Sequence, residues 1–283
     1  MEDDESAPMR VYVGCCEVDL VATRVLEHSI RSHASRPVEF VPMLQDQPRA
    51  RHKKNRAVTR FTFKRFQIPE LAGYRGRALY MDSDMQVFGD LAELWRIPFD
   101  GHRVLCSLQL EAPERWRNPE AHFHPGRHFA VMLLDCSRLD WDAKEIVRGL
   151  DEGRYTYKEL TKDLCIVPSD SISETIPPEW NSLEKYEPGV TKNLHYTVIR
   201  TQPWRYAGNP LEEVWMSAYR EVVARGGITL DEVLHAIRNR WVRPVLADAF
   251  PGGREARERM GFRLSTVATR AANEVKRAFS RRH

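Results

Sequence analysis

The chain has 283 residues, of which 42% are hydrophobic and 29% charged, and its formal net charge is +3. That length and balance suit one large globular α/β domain with an appendage, and no run of about 18 apolar residues is present to span a membrane. Five cysteines, an odd number without metal-like spacing, point to a reduced, cytoplasmic protein. The acidic start, Met-Glu-Asp-Asp-Glu-Ser, has no apolar core, so no secretory leader is expected.

Residues 10–14 (Arg-Val-Tyr-Val-Gly) read as a first strand, and residues 20–32 as a helix with Val21, Val25, Leu26 and Ile30 on one face. Residues 38–43 restore a strand and complete a βαβ opening. A basic loop over 45–56 follows, then Phe61, Phe63, Phe66 and Ile68 lead into the run Arg77-Ala-Leu-Tyr-Met-Asp-Ser-Asp-Met-Gln-Val-Phe88. Its apolar centre predicts a strand buried on both faces. Asp90 is placed to cap a short helix over 91–94. Strands are expected at 104–108 and 129–135, with a Pro- and His-rich loop at 111–127 between them. Helices are expected at 141–150 and 211–223, and a late strand at 194–198. This alternation predicts an open α/β fold whose mixed, mostly parallel sheet binds ligands at the carboxyl ends of its strands.

The pair Asp82 and Asp84 stands where the buried strand emerges. Read as strand residues, the two carboxylates face one way, and such a pair calls for a hard divalent cation. A solvated turn is the plain alternative. His195 ends the first half of the late strand, and Gln202-Pro203-Trp204 follows.

Taken in order, these pieces resemble the retaining glycosyltransferases of the family 8 type. The resemblance covers roughly residues 11–208. It rests on Val13-Gly-Cys-Cys-Glu17, Arg65-Phe-Gln-Ile-Pro-Glu-Leu71, the run around Asp82-Ser-Asp84, Val131-Met-Leu-Leu-Asp135, Pro178-Glu-Trp-Asn181, and His195-Tyr with Gln202-Pro-Trp204. It implies a single GT-A domain that moves a hexose from a nucleotide sugar, UDP-linked, to a glycan, lipid-linked or small-molecule acceptor with retention of configuration. Asp82, Asp84 and His195 would hold Mn²⁺ or Mg²⁺ against the diphosphate. Val13, Gly14, Cys16, Glu17, Arg65, Asp82, Ser83 and Arg200 would line the donor site, and Asp163 would join Asp82 and Asp84 in catalysis. The family's Asn-Ser-Gly is His128-Phe-Ala130 here, and its Asp-Gln-Asp is Thr161-Lys-Asp163. The glycine and lysine of its His-x-x-Gly-x-x-Lys-Pro-Trp are missing, and Arg200 is the expected substitute for the phosphate-binding cation.

Two other readings compete. A haloacid dehalogenase-type phosphohydrolase also carries Asp-x-Asp after an apolar strand, although it calls for Thr or Val where this chain has Gln86. A non-catalytic protein binding a nucleotide sugar or a membrane is the other. From residue 236 onward, twelve Lys/Arg face four Asp/Glu, a net +8 that leaves −5 for the remainder. Met260, Leu264, Val267, Ala271, Val275 and Ala278 recur at helical spacing there. The expected division is therefore a transferase domain over 1–243 and a basic amphipathic tail over 244–283. The tail suits a peripheral contact with an anionic inner membrane face, or a helix docked on the body. Few aromatics interleave with its charges, which disfavours nucleic acid.

Overall fold

The computed structural model describes residues 7–57, 59, 61–110 and 125–262. A six-stranded sheet forms the centre, in the order β2 (Val38–Met43), β1 (Met9–Gly14), β3 (Arg77–Asp82), β6 (Gly126–Asp135), β5 (Val104–Gln109), β7 (Ile172–Ile176). β1 pairs in parallel with β2 and β3, and β5 with β7; β6 alone runs against its neighbours. The sheet is mixed and mostly parallel, as the sequence predicts.

Register decides where chemistry can happen. Gly14 lies opposite both Met43 and Asp82, so the carboxyl ends of β1, β2 and β3 finish level at one rim. Alternate strand residues feed two cores. Tyr12, Ala78, Tyr80, Met132 and Leu134 face α4 (Ala143–Asp151). Val11, Val13, Leu79, Met81 and Leu133 face α1 (Leu20–His33) and α3 (Leu91–Trp95). Asp90 caps α3 through Ala92 N at 2.9 Å, as its position suggests.

At the rim the chain changes sheets. β4 (Met85–Val87) leaves the main sheet and joins β8 (Ser182–Leu183) and β9 (Asn193–His195) in a three-stranded one, with Met85 opposite His195. The two acids therefore do not share one strand, as their alternation suggests. Asp82 closes β3, and a bend at Ser83 carries Asp84 toward the second sheet. The late strand is also shorter than expected, ending at His195. Tyr196 extends it by one bond, donating its N–H to Asp84 O at 2.8 Å.

A third core unites α1 with α5 (Glu212–Ala224) and α6 (Leu230–Arg238) around Trp204, Trp215 and Tyr219. Residues 244–262 pack on it: Leu246 and Ala247 are fully buried, and Tyr219 Oη donates to Leu246 O at 2.9 Å. In α7 (Gly253–Arg259) the buried Arg257 grips both Asp248 oxygens at 2.6 and 2.9 Å. Gly253 permits this docking, since a Cβ there would lie 1.9 Å from Ala247 O. The remaining tail positions, Leu264, Val267, Ala271, Val275 and Ala278, lie outside the described residues. Among the described residues no helix is long and apolar enough to cross a membrane.

Candidate active site

Asp82, Asp84 and His195 offer ligand atoms that all lie within 4.8 Å of one another. Three separate elements deliver them: the end of β3, the bend after it, and β9. Each is then fixed by a different neighbour. Tyr80 donates its hydroxyl to Asp82 Oδ1, and Arg65 NH2 stands 3.5 Å from the same oxygen. Burial raises the Asp82 carboxyl above the usual range, and nearby Asp84 adds to the rise while Arg65 opposes it. Gln202 Nε2 donates to Asp84 Oδ2 at 3.1 Å.

The remaining Asp84 oxygen, Oδ1, is buried and has no hydrogen-bond donor. It lies 3.1 Å from His195 Nε2, an ion pair when the ring is protonated. The other ring nitrogen is occupied: Nδ1 donates to Asn181 Oδ1 at 2.9 Å. That bond leaves Nε2 as the lone-pair nitrogen facing the acids, the arrangement a metal-ligating histidine adopts. Burial opposes charge on the ring, but the carboxylates of Asp84 and Asp82 override it and raise its pKa. An orphaned carboxylate oxygen, a second acid and an imidazole aimed at them fit a divalent metal ion.

Around this cluster the rim is tightly specified. Arg65 spends its whole fork locally, with Nε on Thr62 O at 3.1 Å, NH1 on Phe129 O at 2.9 Å and NH2 toward Asp82. Its neighbour Lys64 is buried and ties β1 to β2, donating to Cys15 O at 2.8 Å and Met43 O at 2.6 Å. Gly14 makes room for Tyr80, because a Cβ there would sit 2.4 Å from the Tyr80 hydroxyl oxygen.

Beside the cluster lies a cavity of about 230 Å³, lined by Cys16, Asp19, Phe61, Ser83, Asp84, Gln202 and Arg205 among others. Cys16 Sγ donates to Asp19 Oδ2 at 2.9 Å. Burial and this acid push the thiol up to about 12, so it stays protonated. Burial likewise raises the Asp19 carboxyl, against the pull of Arg205, whose NH2 lies 2.9 Å from Asp19 Oδ1.

Of the residues expected from sequence, Cys16, Ser83 and Asp84 line the cavity, and Asp82, His195, Arg65 and Gly14 adjoin it. Val13 is buried in the sheet. Glu17 and Arg200 are exposed and are not among the lining residues. Asp163 is exposed at the end of a single π-helical turn, Glu159–Asp163, while its neighbour Lys162 lies within electrostatic reach of Arg65 and Asp82. Asp19, Asn181, Gln202 and Arg205 were given no role from sequence. Asn181 and Gln202 lie inside motifs already noted there, so their position was a usable signal; Asp19 and Arg205 carried none.

Residues 13–138 match the family model described as Glycosyl transferase family 8. Protein CDI of Arabidopsis thaliana is 26% identical over 240 residues, covering 77% of this chain and 88% of that protein. Among solved structures, the apo-form glycosyltransferase GlyE of Streptococcus pneumoniae TIGR4 superposes with a TM-score of 0.52 at 18% identity, over 75% of this chain. The chain spans only 60% of that GlyE chain. The galactosyltransferase LgtC, solved in complex with donor and acceptor sugar analogs, gives a TM-score of 0.52 at 12% identity, over 78% of this chain and 100% of its own. At these identities the two structures speak for the fold, and the family model speaks for the lineage. Together they make this chain similar to the glycosyltransferases of the family 8 type over residues 13–138, with a fold of the GT-A kind.

Proposed function

We propose that the protein transfers a hexose from a nucleotide sugar, UDP-linked, to a glycan, lipid-linked or small-molecule acceptor, with retention of configuration. The observation that carries this reading is the cluster of Asp82, Asp84 and His195 at the carboxyl end of β3, beside a cavity and holding one buried carboxylate oxygen without a donor. Those three residues would hold Mn²⁺, or Mg²⁺ in its place; the imidazole favours the former. A divalent ion there supplies Lewis acidity against the charge that gathers on a departing diphosphate.

The protein's own residues do the positioning. Tyr80 and Arg65 fix one Asp82 oxygen, leaving the other to ligate. Asn181 sets the His195 ring, and Gln202 sets Asp84. Because these groups are held by buried bonds before any ligand arrives, little reorganisation is needed on binding. The base and ribose belong to the side of the cavity formed after β1, beside the neutral Cys16 thiol. Retention follows from front-face attack, in which the departing phosphate oxygen takes the acceptor proton. Asp163 then orients sugar or acceptor and forms no covalent bond.

On this reading a transferase domain over 1–243 is followed by a basic segment over 244–283 whose first part, 244–262, docks on the third core, and the protein lies in the cytoplasm with the segment's end on an anionic membrane face. Support comes from the nine Lys/Arg against four Asp/Glu over 244–283, a net +5. The test of the main proposal is a donor screen: UDP-glucose, UDP-galactose, their N-acetyl forms and GDP-mannose, each with and without Mn²⁺, read as nucleotide release. An NMR time course of the product anomer tests retention, and an inverted product refutes it.

A further inference from the structure

We propose that Arg205 is the cationic contact for the donor's diphosphate, an assignment that rests on the donor-binding reading above. Sequence alone pointed to Arg200 for this role, yet Arg200 is exposed on the turn Ile199–Thr201 and lies outside the cavity lining. Arg205 is one turn further on, its N–H bonded to Gln202 O at 2.9 Å, and it lines the cavity with Ser83 and Asp84. Among the described residues lining that cavity, it is the one with a cationic side chain.

Among the described residues, Arg65 and Lys64 at the rim are already committed, and Lys162, within electrostatic reach of Arg65 and Asp82, is exposed and outside the cavity lining. Arg65 uses Nε, NH1 and NH2 on Thr62, Phe129 and Asp82. Lys64 is buried on two strand-end carbonyls. Gln202 is neutral and spends its amide on Asp84 and on Tyr196 O at 3.0 Å. Arg205 differs. Its NH2 lies on Asp19 Oδ1, its side chain stays 24% exposed at the cavity wall, and its Nε is buried without any partner.

The part of the guanidinium that stays exposed at the cavity wall can donate to an acceptor oxygen there. The planar fork also suits phosphate, since two parallel N–H groups can meet one phosphoryl group. Charge supports the same assignment. Asp19 and Asp84 line the cavity and Asp82 adjoins it, so a bare diphosphate would be repelled. A diphosphate would be accommodated between Asp82, Asp84 and His195, once these hold a metal ion, and a cationic side chain on the other wall, and Arg205 supplies that charge. Asp19 holds the side chain against the wall in the meantime.

The test uses the full chain with Mn²⁺ and isothermal titration of UDP, UMP and uridine, with GDP, GMP and guanosine in parallel. Wild type, R205Q and R205K are compared, and the melting temperature of each is recorded. In R205Q, affinity for the diphosphate falls roughly 10- to 100-fold, the size expected for lost charge-assisted bonds, and affinity for the nucleoside does not change. R205K keeps the charge and loses the fork, so its loss is smaller, about 3- to 10-fold, and again confined to phosphate-bearing ligands. Unchanged UDP affinity in a folded variant, or an equal loss across nucleoside and diphosphate, makes Arg205 a structural partner of Asp19 and overturns the assignment. If R205Q does not fold, R205K decides on the same comparison. A wild-type protein that binds neither diphosphate refutes the donor-binding reading itself, a failure separate from that of Arg205.

Discussion

Replacing Asn181 by Leu should loosen the metal site without touching a ligand. Asn181 is fully buried; its Oδ1 accepts from His195 Nδ1 at 2.9 Å, and its Nδ2 donates to Ser107 Oγ at 3.1 Å. Leucine is close in volume, so packing is largely kept while the acceptor for His195 and the donor to Ser107 are both lost. The His195 Nδ1–H then faces an apolar surface, which costs about 1–3 kcal/mol for an unsatisfied buried donor. The imidazole escapes that cost by moving its proton to Nε2, the nitrogen that must stay free for a metal. Either way Mn²⁺ binding pays for the missing acceptor. A loss of 1–3 kcal/mol corresponds to roughly 5- to 150-fold, in line with the 10–100-fold typical of outer-shell partners. Mn²⁺ titration followed by the EPR signal of the free ion reads this directly, with S107A as the control that removes the far partner and leaves the acceptor. Unchanged Mn²⁺ affinity in a folded N181L protein would refute the argument that this amide sets the ring.

Gly14→Ala places a methyl 2.4 Å from the Tyr80 hydroxyl, so Tyr80 must leave Asp82; unfolding in urea should show a loss of about 1–3 kcal/mol, typical of overpacking, and an unaltered midpoint contradicts the contact. With its thiol pushed up to about 12, Cys16 holds a thiolate fraction on the order of 0.03% at pH 8.5. Iodoacetamide should therefore leave Cys16 unmodified over the time that labels an ordinary exposed thiol, and D19N should speed its labelling; peptide mass spectrometry decides. Removing residues 263–283, which carry six Lys/Arg and one Asp/Glu, should abolish binding to anionic vesicles at low salt while the melting temperature stays put. A cut at 254 should lower the melting temperature, because it removes Arg257 from Asp248. If the intact chain ignores such vesicles, the membrane proposal fails.

The main sheet was legible because its strands carry unbroken apolar runs and its helices carry one-sided patterns. The acid pair was legible as chemistry and misread as geometry. Its convergence comes from a bend between two sheets, not from strand alternation, and a three-residue strand such as β4 has too few positions to show a period. β8 and β9 are shorter still or equal, so the sheet that returns His195 to Asp84 left no pattern of its own. α6 did leave one. Thr229 and Glu232 form a reciprocal capping box, a Thr-x-x-Glu signal ahead of an apolar run. Arg205 and Asp19 are 186 positions apart and meet only through the packing of α1 against the Trp204 core. Nothing local in either stretch foretells that pairing.

The central claim is a metal-dependent transfer seated on Asp82, Asp84 and His195, and one measurement addresses it most directly. Nucleotide release from the best donor is followed for wild type and for Asp84→Asn, each in excess chelator and again after Mn²⁺ is restored. The account predicts that wild type falls to background with chelator and recovers with Mn²⁺, and that Asp84→Asn stays at background in both while keeping the wild-type circular dichroism spectrum. Release that persists in chelator, or in a folded Asp84→Asn protein, would contradict it.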